Sequence, residues 1–389
     1  MILSGITVIE FSNIVAGPFV GELLATLGAE VIKIEHPIRG DPMRNKLVFS
    51  DFIALNRGKK SLALDISHPE GYDVLSRLVR RSDVFVENMS AEAVRKLKID
   101  YDTISKINPD IIYVSIKGYH PESKFADKPL YGVGAEFLSG LAQITGFESG
   151  PPVRSGIALA DILCALYATL GIVSVKYAIQ KGLNVSRYLR LSLIAANLHA
   201  MTGYFINYSL TNKLPKRTGS GKFPSLTSCP SYDCFRTKDD KWIWIGVFGD
   251  EHWKLLVKIP EFKCLDKHEY SRLEDRITHS DKIRHVLENI ISNMDSSELL
   301  KKLEASGIPY TPVNTIADAI NYEPLAPNFS IIKYDNKYCY IPNFPIFGLP
   351  VKELTEVPEL GSNTREILLR LGFSESEIES LIKKGIVKC

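Results

Sequence analysis

The chain has 389 residues, of which 45% are hydrophobic, and carries 47 Lys and Arg against 45 Asp and Glu for a formal charge of +2. That length calls for about two domains, and the near balance of charge excludes a general affinity for nucleic acid or an anionic membrane, so any anion site must be local. The six cysteines (Cys164, Cys229, Cys234, Cys264, Cys339 and Cys389) form no Cys-x-x-Cys pair and lack histidines at zinc-ligand spacing, which points to a reducing compartment and away from a metal framework.

The opening Met1-Ile-Leu-Ser-Gly-Ile-Thr-Val is too weakly charged and too soon polar for a secretory signal, and the expectation is a cytoplasmic protein. Ile6 to Phe11 reads as a strand, Pro18 to Leu27 as a helix with proline in its first turn, and Val31 to Glu35 as the next strand, together a βαβ unit. Further strands are expected at Ser61 to Asp65, Val84 to Glu87 and Ile111 to Ile116. Each is a nearly continuous apolar run, the pattern of strands buried on both faces of a parallel sheet. The fold class is therefore α/β, a doubly wound, mostly parallel, Rossmann-like sheet in a large domain over 1–210. In such a sheet ligands gather at the carboxyl ends of strands, here the loops after Phe11, Glu35, Asp65 and Asn88. The loop Ser12-Asn-Ile-Val-Ala-Gly-Pro lacks G-x-G-x-x-G, so no nucleotide redox cofactor is expected.

A long helical stretch is expected from Asp161 to Ser209. Its first apolar run, Ile162 to Val175, is shorter than the ~20 residues that span a bilayer. A polar linker over Lys213 to Pro230 leads to a smaller α+β domain over 211–325, with a hairpin turning at Asp239-Asp240 and helices near Glu251 to Val257 and Asp281 to Lys302. The segment 326–389 returns to the large domain. It begins with a second hairpin at Ile331 to Ile341 and ends with a helix that has a Ser374/Glu377 capping box and a terminating Gly385.

Asp161 opens the apolar helix directly after Ser155-Gly-Ile-Ala-Leu-Ala. A carboxylate at the mouth of so apolar a helix is capping it, paired with a cation, or held for chemistry, because burying it idle is expensive. The residues alone leave all three open.

Several pieces in fixed order resemble a known family. They are Ala16-Gly17-Pro18, Leu27-Gly-Ala-Glu-Val-Ile-Lys-Ile-Glu, Leu64-Asp65, Asp83-Val-Phe-Val-Glu-Asn88, Thr145-Gly-Phe-Glu-Ser-Gly-Pro-Pro running to Asp161, and Gly307-Ile-Pro-Tyr-Thr-Pro-Val-Asn. The chain resembles the class III CoA-transferases, a superfamily that includes formyl-CoA and carnitine CoA-transferases and α-methylacyl-CoA racemase. By that resemblance Asp161 is the catalytic aspartate, a nucleophile acylated by a donor acyl-CoA and relieved by an acceptor carboxylic acid. The coenzyme A groove would be lined by Val15, Ala16, His36, Leu64, Asp65, Ser67, Asn88, Met89, Ser90, Lys96, Pro129, Leu130, Tyr131 and Gly132. Gly246, Phe248 and Gly249 stand where the family has a glycine-rich loop over the site, which is equally readable as an ordinary strand-to-helix turn. Coenzyme A enters as substrate, with no metal, and an interlocked homodimer is implied.

Departures from the family pattern thin the cationic contacts. Met89-Ser-Ala-Glu92 replaces Phe-Arg-Pro-Gly, Ser67 replaces a lysine, His36 an arginine, and Asn184-Val-Ser-Arg187 a Gly-Lys-Gly-Gln. Arg39, Arg57, Lys59 and Lys60 could substitute, although Arg57-Gly-Lys-Lys also reads as a solvated turn. Val15 and Phe248 imply a larger or more apolar acyl group than oxalate. Two alternatives stay open, a racemase and a non-catalytic CoA-binding homologue. The racemases carry a histidine and an acid where this chain has Tyr131 and Gly132, and a tyrosine with a pKa near ~10 is a poor base. His120 falls outside the matched position.

Overall fold

A computed structural model describes residues 1–147, 149–217, 219 and 229–389. In chain order the first elements are β1 (Thr7–Phe11), α1 (Ala16–Thr26), β2 (Glu30–Glu35), α2 (Phe49–Asn56), β3 (Lys60–Leu64), α3 (Pro69–Val79), β4 (Val84–Glu87), α4 (Ala91–Lys96), α5 (Tyr101–Ile107), β5 (Ile112–Lys117), α6 (Gly132–Leu138), α7 (Leu141–Ile144) and α8 (Leu159–Gln180). There follow β6 (Tyr188–Ser192), α9 (Leu193–Ala200), α10 (Thr202–Thr211), β7 (Tyr232–Arg236), β8 (Trp242–Gly246), α11 (Asp250–Leu256), α12 (Leu273–Thr278), α13 (Ser280–Ile291), α14 (Ser296–Ala305), β9 (Tyr310–Pro312) and α15 (Ile316–Asn321). The chain closes with β10 (Phe329–Tyr334), β11 (Lys337–Pro342), α16 (Thr364–Arg370), α17 (Glu375–Lys383) and β12 (Val387–Lys388). It divides into two compact units, one of Met1–Ser139, Ser155–Ala200 and Asn328–Cys389, the other of Gly140–Arg154 and Met201–Pro327.

The first unit holds a seven-stranded sheet in the order β12-β3-β2-β1-β4-β5-β6. Its strands are parallel except β12, which pairs antiparallel with β3. Successive side chains point to opposite faces, and each face has its own core. Val8, Val31, Val84, Val86 and Val114 pack with Val20 of α1, Ala135 of α6, Cys164 and Ile172 of α8 and Leu193 of α9. Ile9, Ile32, Phe85 and Tyr113 pack with Val74 and Leu75 of α3, Ile104 of α5, Ile367 of α16 and Ile378 of α17. This is the doubly wound α/β fold expected of buried apolar strands. From β1 the chain first builds outward through β2 and β3, then returns to the other side with β4, so the order reverses between β1 and β4. In doubly wound sheets such a reversal, outside the carboxyl ends of the strands, is where ligands gather.

The helix expected from Asp161 to Ser209 is not continuous. It stops at Gln180, Gly182 adopts φ 71°, and β6 adds an edge strand to the sheet before α9 and α10 resume. The alternation Tyr188-Leu-Arg-Leu-Ser is a strand period, but pairing with β5 is what selects it. The stretch Asp281 to Lys302 likewise splits into α13 and α14. Helix α8 runs on past Lys176 to 22 residues, and by length and composition alone it is long and apolar enough to cross a membrane. Its Ala160, Cys164, Ala165, Ala168, Ile172 and Val175 face is nonetheless buried in the core of this unit. The Ser374/Glu377 capping box forms, Gly385 takes φ 70°, and Asp335 and Asn336 turn the β10–β11 hairpin at positive φ.

The second unit is built on the antiparallel sheet β7-β8-β9, with Phe235, Ile243 and Ile245 packed against Trp253, Ile283, Leu287 and Leu299 of its helices. Its first hairpin turns with Asp240 at φ 66°. Of the linker expected over Lys213 to Pro230, residues 218 and 220–228 lie outside the described residues.

Candidate active site

The loop after β1 is held in a costly conformation. Ile14 has φ 69°, a region a β-branched residue rarely occupies. Three anchors surround it. Asn88, just after β4, accepts from the Asn13 amide at 3.0 Å and donates to its carbonyl at 2.8 Å; Asp41 accepts from the Ile14 amide at 3.3 Å; and Lys33 donates to the Ser12 carbonyl at 2.8 Å. A methyl group on Gly17 would fall 2.3 Å from Ser12 Cβ, so only glycine lets α1 start this close to the loop.

Beneath the loop lies a buried lattice of charge. Lys33 pairs with Glu10 at 2.8 Å and Asp41 at 2.9 Å, Lys59 pairs with Glu10 at 2.6 Å, and Arg44 holds Glu35 at 2.7 Å. Burial alone would raise the Glu10 carboxyl, but Lys33 and Lys59 outweigh it and leave Glu10 below the ordinary range. Burial opposes the charge on both lysines. Lys33 has Glu10, Asp41 and Glu35 around it and is raised, whereas Lys59 shares Glu10 with a neighbouring cation and is lowered to about 8. Arg57 is bound to Glu22 at 2.6 Å, and Lys60 to Glu30 at 2.9 Å and to Glu366. The cations of the Arg57 to Lys60 run are thus each engaged by carboxylates. Arg39 remains exposed beside His36.

Several of the other expected groove residues directly follow strands of the same sheet, while Lys96 lies at the end of α4 and Pro129 to Tyr131 just before α6. His36 follows β2 and accepts through Nδ1 from the amides of Ile38 and Arg39. Leu64 is buried at the end of β3. Asp65 accepts from the Ser67 amide at 2.9 Å and hydroxyl at 2.6 Å. Burial tends to raise its carboxyl, yet Ser67 and the nearby His36 and His68 hold it below the usual range. Met89 follows Asn88, with its carbonyl taken by Lys117 at 2.7 Å. Ser90 caps α4 through the Ala93 amide, and Lys96 is exposed in that helix's last turn. Leu130 packs against Gly118 and Gly134, Pro129 is exposed, and Tyr131 is 77% exposed.

Asp161 is the third residue of α8, half-buried in its first turn; the N-cap is Ala158, so the capping role open in the sequence does not apply. Its carboxylate lies over α6, where a methyl group on Gly132 would fall 1.9 Å from Oδ2. The adjoining Ala160 and Cys164 share one apolar cluster with Ala16 and Val20 of α1 and Ala135 of α6. Helices α1 and α6, which begin just after Val15 and at Gly132, both pack against α8. The partial positive charge at the start of a long helix favours a carboxylate there. The Cys164 thiol, one turn on, is pushed up to about 12 by burial and by the Asp161 charge, so it offers no competing thiolate.

Gly246, Phe248 and Gly249 belong to the second unit. The Gly246 amide donates to Pro309, Val247 is bonded to Ser231, and the Phe248 carbonyl accepts from the fully buried Arg276 at 3.2 Å, while Arg276 also binds Asp250 at 2.8 Å. The segment is a strand-to-helix turn tied down on each side. His120 is an exposed loop residue whose Nδ1 accepts from the Glu122 amide.

Sequence reading missed Glu10, Lys33 and Asp41 as site-builders. For Glu10 and Lys33 the signal was there, since a charge in the middle of an otherwise apolar parallel strand must be paired or it would not be buried.

Residues 3–364 match the model of CoA-transferase family III. This chain belongs to that family. Among relatives of this family III CoA-transferase, a mouse (Mus musculus) protein named succinyl-CoA:glutarate CoA-transferase is 30% identical, across 99% of this chain and 90% of its own. A succinyl-CoA–L-malate CoA-transferase beta subunit from Chloroflexus aurantiacus is 28% identical, across 99% and 98%. The crystal structure of a CaiB/BaiF family protein from Brucella suis superposes with a TM-score of 0.83 at 26% identity, covering 95% of this chain and 99% of that one. Membership in the family makes coenzyme A a substrate of this enzyme.

Proposed function

We propose that the enzyme moves coenzyme A from a donor thioester to an acceptor carboxylic acid through covalent intermediates on Asp161. The carrying observation is the seat of the Asp161 carboxylate, which lies in the first turn of α8 and directly over Gly132. An Asp161 oxygen attacks the donor carbonyl carbon, the carbon–sulfur bond breaks, and coenzyme A departs as thiolate, which leaves a mixed anhydride between Asp161 and the donor acyl group. The thiolate attacks the Asp161 carbonyl of that anhydride and expels the donor as carboxylate, which leaves an aspartyl thioester. The acceptor carboxylate repeats the two exchanges in reverse and regenerates Asp161. No proton needs to move, consistent with a site whose matched positions supply no second base.

The loops that follow the parallel strands support the coenzyme A assignment, with Val15, Ala16, His36, Leu64, Asp65, Ser67, Asn88, Met89, Ser90, Lys96 and Pro129 to Gly132 as the lining that the family resemblance implies. The names of the relatives support succinyl-CoA as donor and a short dicarboxylic acid as acceptor, rather than the apolar acyl group implied by Val15 and Phe248. The test combines a panel of acyl-CoA donors and acids with hydroxylamine trapping read by peptide mass. Transfer between succinyl-CoA and glutarate or malate, a hydroxamate at Asp161, and no transfer by Asp161→Ala are expected. Full activity of Asp161→Ala would remove the mechanism. Racemisation is disfavoured because Asp161's own carboxylate fills the place where a side chain at Gly132 would stand. Exchange of the α-proton of a 2-methylacyl-CoA in deuterated water, without any acceptor, would revive it.

A further inference from the structure

Glu136 lies one turn after Gly132 on α6 and is completely buried. Its Oε2 accepts from both the amide of Ser155, at 3.0 Å, and the hydroxyl, at 2.8 Å; Oε1 has no hydrogen-bond partner among the described residues. The Ser155 hydroxyl also lies 2.8 Å from the Ile157 carbonyl, which accepts from the amide of Leu159, the first residue of α8. The one Ser155 hydroxyl proton is shared between Glu136 Oε2 and the Ile157 carbonyl, the Ser155 amide holds Glu136 independently, and Asp161 returns the contact to α6 at Gly132. One short helix therefore grips the segment 155–161 at both ends.

We propose that Glu136 is a positioning residue that sets the orientation of the Asp161 carboxylate. A buried carboxyl is a poor way merely to fasten a loop, because apolar packing of similar volume is as stable or more so. What it offers is direction: two donors of one residue are fixed at one oxygen, and the backbone leading to the nucleophile is fixed with them. Misplacing a reacting group by about 1 Å costs on the order of 100-fold in rate, so a tether at Ser155, just ahead of the helix carrying Asp161, acts on turnover rather than on binding. The inference rests on Asp161 being the nucleophile.

The experiment uses the full-length enzyme with Glu136→Leu, Glu136→Gln, Ser155→Ala and, as control, Asp161→Ala. It measures kcat, the KM for donor acyl-CoA, hydroxylamine capture at Asp161, and thermal unfolding. Glu136→Leu is expected to lower kcat by about 10- to 100-fold with KM within about twofold, and to lower hydroxylamine capture in parallel. Glu136→Gln, which keeps an acceptor for the Ser155 amide, recovers much of the loss, and Ser155→Ala shows a smaller fall of the same kind. Should Glu136→Leu fail to fold, the other two variants carry the test. Unchanged kcat per folded enzyme, with only the unfolding temperature moved, overturns the proposal. An active Asp161→Ala would instead sink the covalent mechanism, so the two failures are distinguishable.

Discussion

Gly132 decides where the Asp161 carboxylate can lie, because any larger residue would occupy the space of Oδ2. Gly132→Ala leaves the backbone of α6 tolerable, so the fold should persist while Asp161 is forced off its seat; a fall in kcat on the order of 100-fold is expected, measured beside an unchanged circular dichroism spectrum. The buried lattice makes a different demand. Glu10 serves two lysines, and losing it leaves both without that carboxylate. Glu10→Gln is therefore expected to cost about 3–5 kcal/mol in urea unfolding, and Lys59→Met clearly less. Acid tests the same groups. Burial raises the Glu10 and Glu35 carboxyls, but Lys33 and Lys59 around the one and Arg44, Lys33 and Ser61 around the other hold both below the ordinary glutamate value. A carboxyl lowered in the folded state adds stability that is fully present above the unfolded value near about 4.3 and is lost as pH falls below it, so the urea midpoint should hold from pH 7 to 5 and drop steeply beneath.

At the scale of elements, the loop after β1 depends on strands beyond its own. Ile14 keeps its strained backbone because Asn88, Asp41 and Lys33 reach it from β4, the segment after β2, and β2. Asn88→Ala removes both anchors of Asn13 and should raise the KM for acyl-CoA by about tenfold with kcat little changed, a split that steady-state kinetics reads directly. Helix α8 shows the reverse situation. Its outer side exposes Leu166, Leu170, Val173 and Tyr177 at helical spacing, and the β10–β11 hairpin exposes Ile331, Tyr338 and Tyr340.

For the whole molecule, the doubly wound sheet was legible because its strands are continuous apolar runs, and β4 has the bounds read from Val84 to Glu87. The first hairpin was legible through its turn at Asp239-Asp240 and the second as the run Ile331 to Ile341, which the structure turns at Asp335 and Asn336 with positive φ. What failed was the stretch after Gln180, where β6 is a strand only by virtue of its neighbour β5. Of the site, Asp161 stood out as a charge at the head of an apolar helix, while Glu136 within Gly-Val-Gly-Ala-Glu-Phe-Leu drew no notice because its partner is Ser155, nineteen positions away. The sequence alone determined the periodicities, the turns and the presence of a carboxylate at the head of an apolar helix, since these depend on local geometry and on the chemistry of single side chains. Only the tertiary structure decided which charges meet, which cations are already paired, and where the Asp161 oxygen rests, because those outcomes follow from distances between segments that no local pattern encodes.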